Sequence, residues 1–278
     1  MKKIKFDWEN IIEMGKSLGI PSFKKRAILR EYLQCHFLKY LYQQKEASQI
    51  SFIGGTSLRV LHNLDRFSED LDFDNLGLKT IVLERIFKNA TKKLIQEGFD
   101  LEFKFKKVRK NIWRGYLKFG GELLKEVKLS PLKEEKLMIK IEMTKPDYPV
   151  FQKVFLLNRF GVIETVVSNT LETILSQKSL AIIYRKPARA RDFYDVVWLL
   201  SKGVYPNFLT LKKVKIKNLD DYKKRMLERY SQIKPKLKSL KKQLLPFLIN
   251  EENIKYLDLF DRVIEGLDSS NINNIKNQ

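Results

Sequence analysis

Residues 52–74 read FIGGTSLRVLHNLDRFSEDLDFD, and this run leaves few folds open to the chain. A short apolar stretch at 50–53 ends at Gly54 and Gly55. Thr56, Ser57 and an amphipathic segment reaching Leu64 follow with helical spacing. The order is strand, tight turn, helix. Two residues without Cβ let backbone N–H groups approach a ligand closely, and a helix N-terminus favours negative charge, so such a turn suits phosphate. A glycine pair by itself is more often a plain turn. In Ser68-Glu69-Asp70-Leu71-Asp72-Phe73, however, strand alternation puts Asp70 and Asp72 on one face and turns Leu71 and Phe73 to the core. Two neighbouring carboxylates repel each other unless a cation lies between them. Hard oxygen ligands beside a phosphate-binding turn match Mg²⁺ carrying a nucleoside triphosphate, with a solvated acidic strand end as the plain alternative.

The combination of GGTSL with RFSEDLDF resembles the nucleotidyltransferase superfamily built on a polymerase-β-like core. Within it the sequence resembles the AbiEii/AbiGii toxins of bacterial type IV toxin–antitoxin and phage-defence systems. The resemblance implies an α+β fold, a mixed sheet flanked by helices with a helical C-terminal domain. It also implies a lysine on a later helix and an R-x-x-D-x-x-D-like helix, a third acidic residue on a strand beside the aspartates, an NTP substrate and two Mg²⁺ ions. A cognate protein antitoxin is implied as well. Gly54, Gly55, Thr56, Ser57 and Ser68 fall in the nucleotide-binding part of this pattern, and Asp70 and Asp72 in its metal-binding part.

The remaining chain can be searched for those later elements. At 278 residues and 44% apolar content it is long enough to bury a core in one large domain or two ordinary ones. A net charge of +21 with a pI near 9.8 favours a polyanionic partner, with nucleic acid ahead of membrane, although a lysine-rich composition also arises without function. The single cysteine, Cys35, excludes an internal disulfide framework and fits a reducing cytoplasm. With His36 and His62 as the only histidines, no Cys/His zinc site is available. The opening MKKIKFDWENII reaches Asp7 and Glu9 before any apolar core, so neither an export signal nor a membrane-spanning segment is expected.

Residues 8–18 and 23–44 read as helices, 79–97 as a third, and 101–108 with 112–119 as a hairpin. Lys104, Lys106, Arg109 and Arg114, interleaved with Phe103, Phe105, Trp113 and Tyr116, either hold an RNA backbone or are the wet and dry faces of one amphipathic hairpin. In KLMIKIEMT, residues 136–144, Lys140 and Glu142 face away from Ile139, Ile141 and Met143. Glu142 is the best-placed third carboxylate for the metal site that the resemblance implies, or an ordinary outward glutamate.

Residues 169–184 form a helix with Lys178 inside its apolar stripe, where an ammonium must snorkel or meet a negative group. The resemblance gives Lys178 a triphosphate-binding role. In RKPARARDFYDVVWLL, residues 185–200, Asp192 and Asp195 share one helix face near Arg189 and Arg191. By resemblance this helix completes the site. Asp192 and Asp195 then orient Lys178 or the arginines, or one assists deprotonation of the acceptor, with Arg191 near the nucleotide; a structural salt-bridge network is the plain reading. From 212 to 242, thirteen lysines and arginines stand against three acids, a net of +10 suited to phosphate contacts or to a solvated helix. A last helix is expected over 250–267, then a frayed polar tail.

The expected organisation is a nucleotidyltransferase domain at 1–165, with its core at about 45–160, and a helical domain at 166–278. The implied activity is transfer of NMP from an NTP to an acceptor hydroxyl, with the tRNA 3′ end favoured. Transfer to a protein hydroxyl, or a non-catalytic basic RNA-binding protein on the same fold, are the alternatives.

Overall fold

The computed structural model describes residues 7–268 apart from Lys133. The expectations for the basic opening residues 1–6 and for the tail at 269–278 lie outside the described residues. The chain divides into two compact units, one of residues 1–63, 67–146 and 152–168, the other of residues 64–66, 147–151 and 169–278.

The first unit is a seven-stranded mixed sheet in the order β3-β4-β5-β2-β1-β7-β6. β1 (Ile50–Ile53) is a short, almost wholly buried central strand, as a continuous apolar run requires. It passes directly into α3 (Gly54–His62). β2 (Leu71–Asn75) runs antiparallel to β1 and parallel to β5 (Leu137–Thr144). β3 (Leu101–Arg109) and β4 (Ile112–Phe119) form the expected hairpin on the far side of β5.

Along β5 the alternation is complete: Leu137, Ile139, Ile141 and Met143 are buried, while Met138, Lys140, Glu142 and Thr144 are exposed. On the buried side, α4 (Thr80–Gln96) sets Phe87 against Phe105 in a stack at 4.6 Å and edge-on to Phe73 at 5.5 Å, and Phe73 meets Phe52 at 5.4 Å. This chain of rings fastens the helix to three strands. α2 (Lys25–Tyr42) joins the same core through Phe37, which lies 5.9 Å from Phe87. Its Glu31 is buried between Arg59 of α3 at 2.9 Å and Arg159 at 2.7 Å. α1 (Trp8–Ser17) is capped by Asp7, which accepts from the Asn10 amide at 3.0 Å. His36 lies on α2 with Nδ1 3.8 Å from Glu97, and His62 sets its ring edge-on to Phe155. Burial raises the Cys35 thiol far above its ordinary pKa.

In the first unit three features differ from the sequence reading. β2 begins at Leu71, so Asp70 precedes the strand instead of lying in it. The hairpin of β6 (Gln152–Arg159) and β7 (Val162–Asn169), together with the short α5 (Gly121–Glu126), was not anticipated. β6 carries exposed Val154 and Leu156 opposite buried Leu157, so apolar residues on both faces erase the alternation that marks a strand.

The second unit is helical. α6 (Leu171–Tyr184) is capped by Thr170, and α7 (Ala190–Ser201) buries Phe193, Val196 and Val197. The basic segment at 212–242 is not one helix. Pro235 interrupts it with a tight turn between α9 (Leu219–Ile233) and α10 (Leu237–Leu244). The expected last helix is likewise divided, into 3₁₀ turns at Glu251–Leu257, begun by an Asn250 carboxamide cap on the Glu252 amide, and α11 (Phe260–Glu265). Phe260 joins Phe193 at 5.1 Å and Tyr230 at 4.9 Å, binding α7, α9 and α11 into one core. Between α7 and α9 the short α8 (Phe208–Leu211) is followed by a 3₁₀ turn at Lys212–Val214. No helix among the described residues is long and apolar enough to cross a membrane.

Candidate active site

In the first unit the turn between β1 and α3 is shaped by its glycine. Gly54 has φ of +79°, a conformation that L side chains rarely adopt, and a Cβ there would strike the Asp72 carboxylate. The backbone of the turn therefore lies directly on Asp72, which is the Cα partner of Ile53 in β1. Helix geometry leaves the first amides of α3 without intrahelical partners, and no side chain caps them from Ile53. The positive end of the helix dipole is at the same place.

The two hydroxyls that follow serve the protein itself. Thr56 and Ser57 are fully buried. Thr56 Oγ1 donates to the Asp70 carbonyl, and the Ser57 hydroxyl shares a 2.8 Å hydrogen bond with Ser168, whose Oγ donates to the Phe52 carbonyl at 2.6 Å. Backbone N–H groups are thus what this turn offers a ligand. From α2, Gln34 Nε2 donates to the Ser68 carbonyl at 3.2 Å and Arg30 pairs with Glu69 at 2.9 Å, so one helix holds the approach to the aspartates at two points.

Asp70 and Asp72 are both half-buried. Asp72 pairs in register with Glu142 on β5, adjacent strands being roughly 4.8 Å apart. Glu142 is exposed and turned to Arg114 at 3.1 Å. Among the described residues no three His, Cys, Asp or Glu side chains are gathered into a metal cage. The donor chemistry nonetheless fits a hard divalent cation: carboxylate oxygens at Asp70 and Asp72, with the Gly54 turn pressed against one of them and Glu142 on the adjoining strand. Asp74, which continues the same alternation, had no role in the sequence reading. It is fully buried and accepts a hydrogen bond from Thr144 Oγ1 at 3.3 Å.

In the second unit Lys178 does meet negative groups. Its Nζ lies 2.8 Å from Asp195 and 3.2 Å from Asp192. Arg66 grips Asp195 with two hydrogen bonds of 2.6 Å, from Nε and Nη2, and Arg185 pairs with Asp192. Burial opposes the charge of Asp195, but Arg66 and Lys178 override it and hold the carboxyl below its ordinary pKa. Burial likewise opposes the charge of Lys178, and the two aspartates override it and raise the ammonium. A carboxylate so engaged on both oxygens is not placed to accept a proton. Arg191 lays its guanidinium over Phe247, 4.5 Å from the ring centre. The sequence reading had no role for Arg66, although it is the arginine of RFSEDLDF, nor for Asp65, which accepts a 2.7 Å hydrogen bond from Tyr194.

The model of the AbiEii nucleotidyl transferase toxins, of type IV toxin–antitoxin systems, matches residues 36–269. The chain belongs to this family. It is a nucleotidyltransferase of the toxin–antitoxin type, and membership implies an NTP substrate and an antitoxin partner. Two solved structures from Helicobacter pylori share the fold of this AbiEii protein. JHP933 is 22% identical with a TM-score of 0.53, over 90% of this chain and 97% of its own. The other, described as a candidate nucleotidyltransferase, has the same identity and TM-score over 86% and 94%. No curated protein matches the AbiEii chain.

Proposed function

We propose that this AbiEii protein transfers a nucleoside monophosphate from an NTP to a hydroxyl at the 3′ end of tRNA, releasing pyrophosphate. The observation that carries the reading is the packing of Gly54 on Asp72, which sets the amide-bearing start of α3 against a carboxylate. The backbone of Gly54, Gly55, Thr56 and Ser57 receives triphosphate oxygens, and Ser68 lines the approach to Asp70. Asp70, Asp72 and Glu142 hold Mg²⁺, with two ions expected. When bound, these ions neutralise the triphosphate and lower the pKa of the attacking hydroxyl. Glu142 would exchange Arg114 for the cation, a small loss because an ion pair this exposed is worth roughly 0–1 kcal/mol.

Lys178, Asp192 and Asp195 hold their own unit together instead of contacting phosphate or moving a proton. Each of these charges is already bonded within its own unit. The net charge of +21 favours a polynucleotide over a protein as acceptor, and NTP and tRNA together place the activity in the cytoplasm.

The test incubates the protein with MgCl₂, each α-labelled NTP in turn and total RNA, beside Asp70→Ala and Asp72→Ala. Label entering tRNA with wild type alone is expected. Label in protein alone would transfer the reading to a protein hydroxyl, and no label with any NTP would leave a non-catalytic RNA-binding protein.

A further inference from the structure

The sheet of the first unit has a second face, and its chemistry is different. On β3, β4 and β5 the face bearing Phe105, Trp113, Leu117 and Ile139 is buried. The opposite face is polar and its cross-strand register is continuous. Lys106 pairs with Arg114, Arg114 with Glu142, and Glu142 with Asp72, so one row crosses four strands from two cations to two carboxylates. At roughly 4.8 Å per strand this row is about 14 Å long. The next row is Lys104, Tyr116 and Lys140, and the one beyond it is Glu102, Lys118 and Met138. Rows two residues apart share a face, so all of these side chains stand on one surface.

The charges on this surface are not balanced. Glu102 is taken by Lys136 at 2.6 Å and Glu142 by Arg114. Lys104, Lys106, Lys118 and Lys140 form no ion pair among the described residues. Tyr116 lies among them, half-exposed, with the Lys118 ammonium 4.5 Å from its ring centre. The more basic segment at 212–242 has spent several of its charges internally. Lys234 pairs with Asp261 and Lys241 with Asp258, and Arg229 donates to the carbonyls of Ile182 and Arg185.

We infer that the open face of β3, β4 and β5 is a docking surface for a single-stranded nucleic acid, held by its phosphodiester backbone and running along the Lys106 row toward Asp72. Four ammonium groups without an ion pair on one sheet face call for a repeating anion. An aromatic ring among them offers a base a stacking surface, which a duplex leaves unused. The direction of the strand rests on the proposed reading of Asp70 and Asp72, while the surface itself does not.

The test is fluorescence anisotropy of short labelled oligonucleotides against the whole protein, without NTP or metal, across a salt series. The probes are an unstructured RNA, the same sequence as DNA, and a duplex. The variants are Lys104→Ala/Lys106→Ala/Lys118→Ala/Lys140→Ala, Tyr116→Leu, and, as a charge control, Lys236→Ala/Lys238→Ala/Lys242→Ala, each checked for folding by thermal melting. With roughly 0.7 of log–log salt slope per phosphate contact, the quadruple variant should lose about 3 from the slope for both single strands, and the control variant little. Tyr116→Leu should weaken binding about tenfold with the slope unchanged.

A wild-type slope in the quadruple variant, or a collapse in the control variant instead, overturns the surface. A duplex that binds as tightly as the single strands, with Tyr116→Leu indifferent, overturns the single-strand assignment. Binding through these lysines without nucleotide transfer leaves the surface standing and removes the reading of the carboxylates. Transfer that persists while the quadruple variant binds normally does the reverse.

Discussion

Each unit carries a pair of aspartates two or three residues apart, and the two pairs are treated in opposite ways. Asp70 and Asp72 are half-buried at the edge of a glycine turn, with a third carboxylate on the next strand held only by a surface arginine. Asp192 and Asp195 are buried and bound by Lys178, Arg66 and Arg185, three cations against two carboxylates. Carboxylates left accessible retain the capacity to bind a ligand cation. Carboxylates saturated from within hold structure, because each buried charge must be matched inside the protein. The first pair should therefore govern activity and the second stability.

The sharpest break would come from the first pair. Asp72→Ala should lower nucleotidyl transfer about 10³-fold, the loss of several kcal/mol of metal-borne stabilisation, with an unchanged melting temperature. Unfolding in place of inactivation would erase the contrast. The opposite outcome is expected for Asp195→Ala, which strands Arg66 and Lys178: denaturant unfolding should show roughly 3–5 kcal/mol of destabilisation. Gly54→Ala sharpens the first half, since it forces a side chain into a left-handed backbone and against Asp72. About 1–2 kcal/mol of stability should be lost, with a disproportionate fall in kcat.

The acid–base behaviour of the second pair has a definite sign. Asp195 is held below its ordinary value, so its stabilising contribution is complete above about pH 4 and is lost as pH falls through the lowered folded value. Lys178 is raised, so its contribution is complete below about pH 10 and is lost as pH rises through the raised value. Unfolding free energy measured between those limits should be flat with respect to this network, and Asp195→Ala should remove the acid-side slope. The smallest effect belongs to Arg114 and Glu142, where a double-mutant cycle should return less than about 1 kcal/mol. A larger coupling would mean that Glu142 is committed to Arg114 and is no metal ligand.

Much of this was open to reading before any coordinates. The alternation in β5 announced Glu142 and its outward face, the glycine pair announced the turn at Gly54, and an ammonium inside an apolar stripe announced that Lys178 needed a negative partner. Each of those signals is local: a side-chain period, a missing Cβ, a charge among neighbours on one helix. Nothing local said that β6 was a strand, because its exposed face is apolar. Nor did anything local say that the Thr56 and Ser57 hydroxyls would be spent inside the protein on the Asp70 carbonyl and Ser168.

By itself the sequence determined the nucleotidyltransferase motif, the strand–turn–helix around Gly54 and the residues that carry charge. The tertiary structure alone decided which charges cancel. Arg66 reaches Asp195 across 129 positions of chain, and four lysines on two neighbouring strands and a third come to share one face through strand register. Ion pairs and surface grids are made by side chains distant in sequence, so no periodicity along the chain records them; only the path of the backbone brings them together.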